Sequence, residues 1–147
     1  MTFSEDLLTG VCQAIAGYAD KQQPYEYKTG TDVYSDGAAA VVWGVSTDMD
    51  TQIVVALYAV EDDQSLSESV IGVNFRVSGP PNMQFVNDAC DDLFDLFHGL
   101  YSTTLGSVKV VQAEHRSGAP LRQDDSERVS RSENYYFTVH RPSNNRT

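Results

Sequence analysis

The chain has 147 residues, 41% hydrophobic and 21% charged, enough to bury roughly two-thirds of its unfolded surface around one core without disulfide or metal staples. Its formal net charge of −11 opposes binding to DNA phosphates or to an anionic membrane surface. The charge is uneven: residues 1–115 hold 4 Lys/Arg against 17 Asp/Glu, and residues 116–147 hold 6 Arg against 4 Asp/Glu. Such asymmetry lets one end of a subunit attract the opposite end of another.

The first element is a helix over about 4–19. Thr2 and Glu5 fit a capping box, and Leu7, Leu8, Val11, Cys12, Ile15 and Tyr18 recur at helical spacing. The N-terminus is acidic (Glu5, Asp6) rather than basic, so no secretory leader is expected. Residues 20–37 carry Pro, Gly, Asp and Ser breakers and read as a long surface connection, in which Tyr25, Tyr27 and Tyr34 are candidates to pin it to the body or to a neighbour.

Three strands follow, over about 39–45, 52–60 and 70–78. The second is apolar on both faces (Ile53, Val55, Leu57; Val54, Ala56, Tyr58), which predicts a central strand covered on both sides. In the third, Ile71, Val73, Phe75 and Val77 alternate with smaller or polar residues, which predicts one buried face. A short turn at 48–50 and an acidic hairpin loop over 61–69 join them.

Gly79-Pro80-Pro81-Asn82 ends the third strand and starts a helix over about 82–101. Its apolar face runs from Phe85 to Tyr101, and burial of its eight larger apolar side chains contributes about 12–24 kcal/mol gross, an upper bound. Asp88, Asp91, Asp92 and Asp95 take the opposite side. Two final strands are predicted over 108–115 and 134–141, separated by a long exposed loop over 116–133 and followed by a flexible tail over 142–147. The expected fold is one α+β domain spanning 1–147: a mixed, largely antiparallel sheet of about five strands with two helices on one face.

Chemistry is sparse. The sequence contains no Walker pattern, no Gly-x-Gly-x-x-Gly, no Gly-x-Ser-x-Gly and no Cys-x-x-Cys, and no apolar run approaches the ~20 residues of a membrane span. No catalytic residue, cofactor or metal site is therefore assigned. Cys12 and Cys90 read as small buried hydrophobes. A minor enzymatic reading rests on His115 and His140, in strands that could be neighbours. The aspartate stripe reads as a solvated helix face, and Asp48-x-Asp50 fails as a calcium loop because Ile53 stands where Gly is needed. The more informative group is basic. Arg116, Arg122, Arg128 and Arg131 suit bidentate pairing with carboxylates on a partner. With Arg76, and with Asp62 and Asp63 as the acidic counterpart, they make up the candidate assembly interface.

In order along the chain come an acidic N-terminal helix, a hydrophobic hairpin and Gly72-Val73-Asn74-Phe75-Arg76-Val77-Ser78-Gly79-Pro80. Then come a helix ending Leu93-Phe94-Asp95-Leu96-Phe97-His98-Gly99-Leu100 and the closing run from Ser132 to Pro142. This ordered set resembles the siphophage minor capsid and tail-terminator family of head–tail joining proteins over about residues 5–142. Family members often carry Arg-x-Arg-Gly where this chain has Arg76-Val77-Ser78-Gly79. The resemblance implies a non-enzymatic virion protein, assembled in the host cytoplasm and placed at the head–tail interface. It implies a homo-oligomeric ring, a hexamer, with the tail tube protein and the head connector or head-completion protein as partners and DNA passing through the lumen unbound. The alternatives are another neck or head-completion protein, a non-viral module binding an acidic partner through the 116–133 segment, and a small hydrolase.

Overall fold

The computed structural model describes residues 2–18, 24–28, 33–44, 47–62, 67–121 and 128–142. Its elements are α1 (Phe3–Ala16), β1 (Tyr25–Tyr27), β2 (Ala39–Trp43), β3 (Gln52–Asp62), β4 (Glu68–Gly79), α2 (Gln84–Phe97), β5 (Tyr101–Leu105), β6 (Val108–Leu121) and β7 (Val129–His140). The α+β class stands, but the described residues form seven strands rather than about five, in one sheet of order β1-β2-β3-β4-β7-β6-β5.

The two extra strands are short and lie at the sheet's edges. β1 falls inside the segment expected to be a surface connection, and Tyr25 explains why. Its ring is buried, and its hydroxyl donates to Asp92 Oδ2 on α2 at 2.5 Å. Tyr27 accepts from Trp43 Nε1 at 3.0 Å. These tyrosines hold β1 in a parallel pairing with β2. β5 begins at Tyr101, the residue expected to end α2, because that helix stops early: Gly99 adopts φ +81°, and the chain turns back to pair with β6.

β2 and β3 are also parallel, with Val41 beside Ile53. The 48–50 segment is therefore part of a return connection and not a hairpin turn. The other pairings, β3–β4, β4–β7, β6–β7 and β5–β6, are antiparallel. β6 and β7 run well into the segment expected to be a loop, since residues 116–121 and 129–133 are paired strand. Residues 122–127 and the tail 143–147 lie outside the described residues.

Both helices lie on one face of the sheet. Ile53 and Val55 of β3, Ile71, Val73, Phe75 and Val77 of β4, and Tyr135, Phe137 and Val139 of β7 point into a core shared with α1 and α2. The expectation that β3 is covered on both sides is wrong: Ala56 and Tyr58, on the other face, are exposed. Asp92 leaves the solvated aspartate stripe and is 2% exposed.

α1 is anchored from its N-terminus to its middle. Glu5 N–H donates to Thr2 Oγ1 at 3.1 Å, the N-cap expected from the sequence. Farther along, Gly10 lies against the β5–β6 turn so closely that a Cβ there would sit 2.2 Å from Gly106 N. Ser107 N–H donates to Asp6 Oδ1 at 3.0 Å and its hydroxyl to Oδ2, and these two bonds hold the Asp6 carboxyl below its usual pKa. In an open helix, Gly10→Ala would gain about 1 kcal/mol. Here the methyl meets backbone that cannot yield, so Gly10→Ala is expected to destabilise the fold by about 1–3 kcal/mol, read as a lower urea midpoint at unchanged m-value.

Candidate assembly interface

The sheet has a covered face and an open one, and the candidate residues divide between them. On the open face, transverse rows run across β3, β4, β7 and β6. One row is Ala56, Asn74, Asn134 and Ser117; the next is Tyr58, Gly72, Tyr136 and Glu114. Asn74 Nδ2 donates to Ser132 Oγ at 2.7 Å and to Asn134 Oδ1 at 2.9 Å, and Asn134 Nδ2 donates to Ser117 Oγ at 3.2 Å. The Tyr58 ring lies over Gly72, where no side chain stands. The Arg116 guanidinium sits 4.9 Å from the centroid of the Tyr136 ring and bonds Glu114 at 3.2 Å. Arg76 is exposed on the same face, with no acidic partner among the described residues. Arg76 and Arg116 thus top an amide-laddered surface suited to acidic groups on a partner.

Arg131 and Arg128 are engaged within the fold. Arg131 Nε bonds Glu133 Oε1 at 2.7 Å on the covered face, and its NH1 reaches Asn87 Oδ1 on α2 at 3.5 Å. Arg128 NH1 donates to the Met49 carbonyl at 3.3 Å, between the exposed Asp48 and Asp50. Asp62 is exposed at the far end of β3, beside a groove that also involves Ser4, Leu57, Val70 and Arg141. Asp63 and Arg122 lie outside the described residues.

The charges are separated along the sheet. The β3–β4 hairpin, with Glu61, Asp62 and Glu68, sits at the end where Glu68 meets His140. The β6–β7 hairpin sits at the other end, where Gly79 meets Val129. The 12 residues of β4 separate the two ends by roughly 36 Å. Arg76 and Arg131 fall in the half nearer the β6–β7 hairpin, and Arg116 falls near the middle.

His115 and His140 do not form a site. His115 is opposite Tyr135 on β7 and His140 is five positions farther along, roughly 17 Å away and on the opposite face. His115 belongs instead to a cluster that the sequence did not reveal. Its Nε2 bonds Glu133 Oε2 at 2.7 Å, and its backbone N–H donates to His98 Nδ1 at 3.0 Å. His98 stacks on Phe94 with ring centroids 4.5 Å apart. Glu133, expected in an exposed loop, is 2% exposed. Gly118 makes its space, since a Cβ there would lie 2.1 Å from Glu133 Oε2. Two bonded cations or donors and a tight wall fix this carboxylate, and the arrangement locks β6, β7 and α2 together. No group of three or more His, Cys, Asp or Glu that could hold a metal occurs among the described residues. Cys12 and Cys90 are free, and burial pushes both thiols up to about 12.

No known family profile matches the chain, and no curated protein matches it. Among solved structures, the fold is similar to a chain from the virion of a native gene transfer agent particle. The TM-score is 0.56 at 11% identity, over 67% of this chain and 78% of that one. At that identity the likeness is one of fold.

Two outcomes are expected from this geometry. Arg131→Ala leaves one oxygen of a buried carboxylate unmatched, at a cost of about 1–3 kcal/mol in a denaturant melt. Thiol-specific reagents at neutral pH leave Cys12 and Cys90 unlabelled in the folded chain and label both in denaturant; rapid native labelling of either would contradict the packing described.

Proposed function

We propose that this chain is a non-enzymatic structural protein of a tailed-phage-like virion, and specifically a tail terminator at the head–tail joint. The observation that carries the proposal is the similarity of its fold to a chain of a gene transfer agent virion. Two properties of the chain support it. Cationic groups on the open face and an acidic hairpin at one end favour head-to-tail contacts between copies, which close into rings when the rotation between neighbours allows. The net charge of −11 makes most of such a ring repel nucleic acid, so that DNA slides through a lumen without sticking.

In this reading six copies form the ring, which caps the tail tube protein on one side and docks to the head connector or head-completion protein on the other. The protein assembles in the host cytoplasm and ends in the virion. No helix among the described residues is long and apolar enough to cross a membrane. The hydrolase alternative loses its motivating pair, because His115 and His140 stand on opposite faces.

Light scattering and negative-stain microscopy of the purified chain test the proposal directly. The expected result is a ring of six that weakens as salt is raised, since the contacts are charged and partly exposed. Arg76→Glu combined with Arg116→Glu is expected to weaken association at least about tenfold, or about 1.4 kcal/mol, with thermal stability little changed. A strictly monomeric chain that is also absent from virions by mass spectrometry would overturn the reading.

A further inference from the structure

Besides the outer edges of β1 and β5, two stretches of inner strands have an open edge among the described residues, and they complement each other. β2 pairs with β3 only as far as Val55, so residues 56–62 have a strand neighbour on one side alone among the described residues. On the opposite side of the sheet, β5 pairs with β6 only as far as Gln112. Gly99 and Leu100 continue the contact to Ala113, and His98 Nδ1 caps the N–H of His115. From Arg116 to Leu121 the outer edge of β6 has no strand neighbour among the described residues. Both edges are accessible: Ala56 and Tyr58 to Asp62 are exposed, as are Arg116 to Pro120. Unpaired strand edges are templates for another strand.

We propose that neighbouring copies of this chain join by strand addition, the open part of β3 in one copy pairing antiparallel with the open part of β6 in the next. This rests on the self-assembly reading above and names its contact. Four features point to a second copy as the occupant. Direction fits, because three successive antiparallel pairings separate β3 from β6, so a sheet continued without inversion brings them together antiparallel. Length fits, with seven open residues against six.

Shape fits as well. On the β3 side the covering strands, β1 and β2, occupy the half nearer the β6–β7 hairpin. On the β6 side the covering strand, β5, occupies the half nearer the β3–β4 hairpin. The two edges are therefore steps of opposite sense, and a neighbour shifted along the strands by about four residues, roughly 13 Å, seats one step in the other. Charge fits last. Glu61 and Asp62 have no ionic partner among the described residues, and Arg116 is the cation of the opposing edge. The register that sets Arg116 opposite Glu61 sets Ala119 opposite Tyr58. Pro120 offers a carbonyl but no N–H, so the added ladder is short and the salt bridge selects its register.

The test is inter-chain disulfide formation in the full chain carrying Tyr58→Cys and Ala119→Cys. Cross-strand cysteines lie within bridging distance, and the native thiols are buried. Oxidation is expected to give a ladder of covalent oligomers from the double variant and none from either single variant. Deuterium exchange on the unmodified chain reads the same contact without substitution: amides within 56–62 and 116–121 become protected in the oligomer relative to the salt-dissociated subunit. An oligomer that shows neither the ladder nor that protection overturns strand addition and leaves the ring standing. Covalent dimers from a single variant overturn it in favour of a twofold contact. A chain that stays monomeric overturns strand addition, and one that is also absent from virions overturns both readings.

Discussion

The close approach of α1 to the β5–β6 turn shapes the rest of the molecule. The sheet has β1 at one edge and β5 at the other, and α1 contacts both. A twisted sheet of this width curls, and α1 fills the hollow. The fit depends on two glycines that face each other. A side chain at Gly10 would strike the turn, and one at Gly106, where φ is +61°, would strike Asp6. Asp6 then accepts two hydrogen bonds from Ser107, which fixes the helix against the turn. Because those bonds depress the Asp6 pKa, their contribution is present above the unfolded carboxyl pKa and is lost as pH falls through the folded one.

With α1 and α2 both committed to the inside of the curl, the outer face has no cover among the described residues. This explains why β3, apolar on both sides, is buried on one only. Residues that read as a second core face (Val54, Ala56, Tyr58) instead lie on the sheet's outer surface. There the Tyr58 ring fills the gap left by Gly72, and the Asn74–Ser132–Asn134–Ser117 bonds satisfy the polar side chains between strands. A surface satisfied in this way does not need a partner to fold. It can still present Arg76 and Arg116 at fixed positions.

The sequence revealed the fold best where a single rule decided the outcome. Thr2 capped its helix as the capping pattern predicts, and the alternation from Ile71 to Val77 identified the buried face of β4. It failed where tertiary contacts overrode local pattern. Residues 116–121 and 129–133 are polar, and Gly118 and Pro120 read as breakers, yet they form a strand pair. Its inward side is occupied by Arg131, Glu133 and His115 bonded to one another, and no hydrophobic periodicity can reveal a face built from an ion cluster. Tyr25 and Asp92 pose the same difficulty. Each looks like a surface residue alone, and only their meeting across 67 positions buries them. For the candidate interface, composition singled out the late arginines as candidates. It could not say that Arg128 and Arg131 are engaged inside the fold while Arg76 and Arg116 face outward.

That division changes what the late positive charge means. Counted along the chain, it suggests a basic tail attracting an acidic body. Placed on the sheet, it separates into a half-buried set, Arg128 and Arg131, bonded within the subunit and an external set that faces solvent. The strand pair that holds Arg131 and Glu133 extends past β5 and leaves an open edge, and Arg116 marks that edge with a cation. The acidic hairpin shows the same combination at the other side of the sheet, where β3 outruns β2 and carries Glu61 and Asp62 beyond it. A long strand next to a short one leaves backbone unpaired, and nothing in the folding of an isolated subunit requires that mismatch at both edges in opposite senses. The strand addition proposed above would use it, because each copy would offer one edge and accept the other.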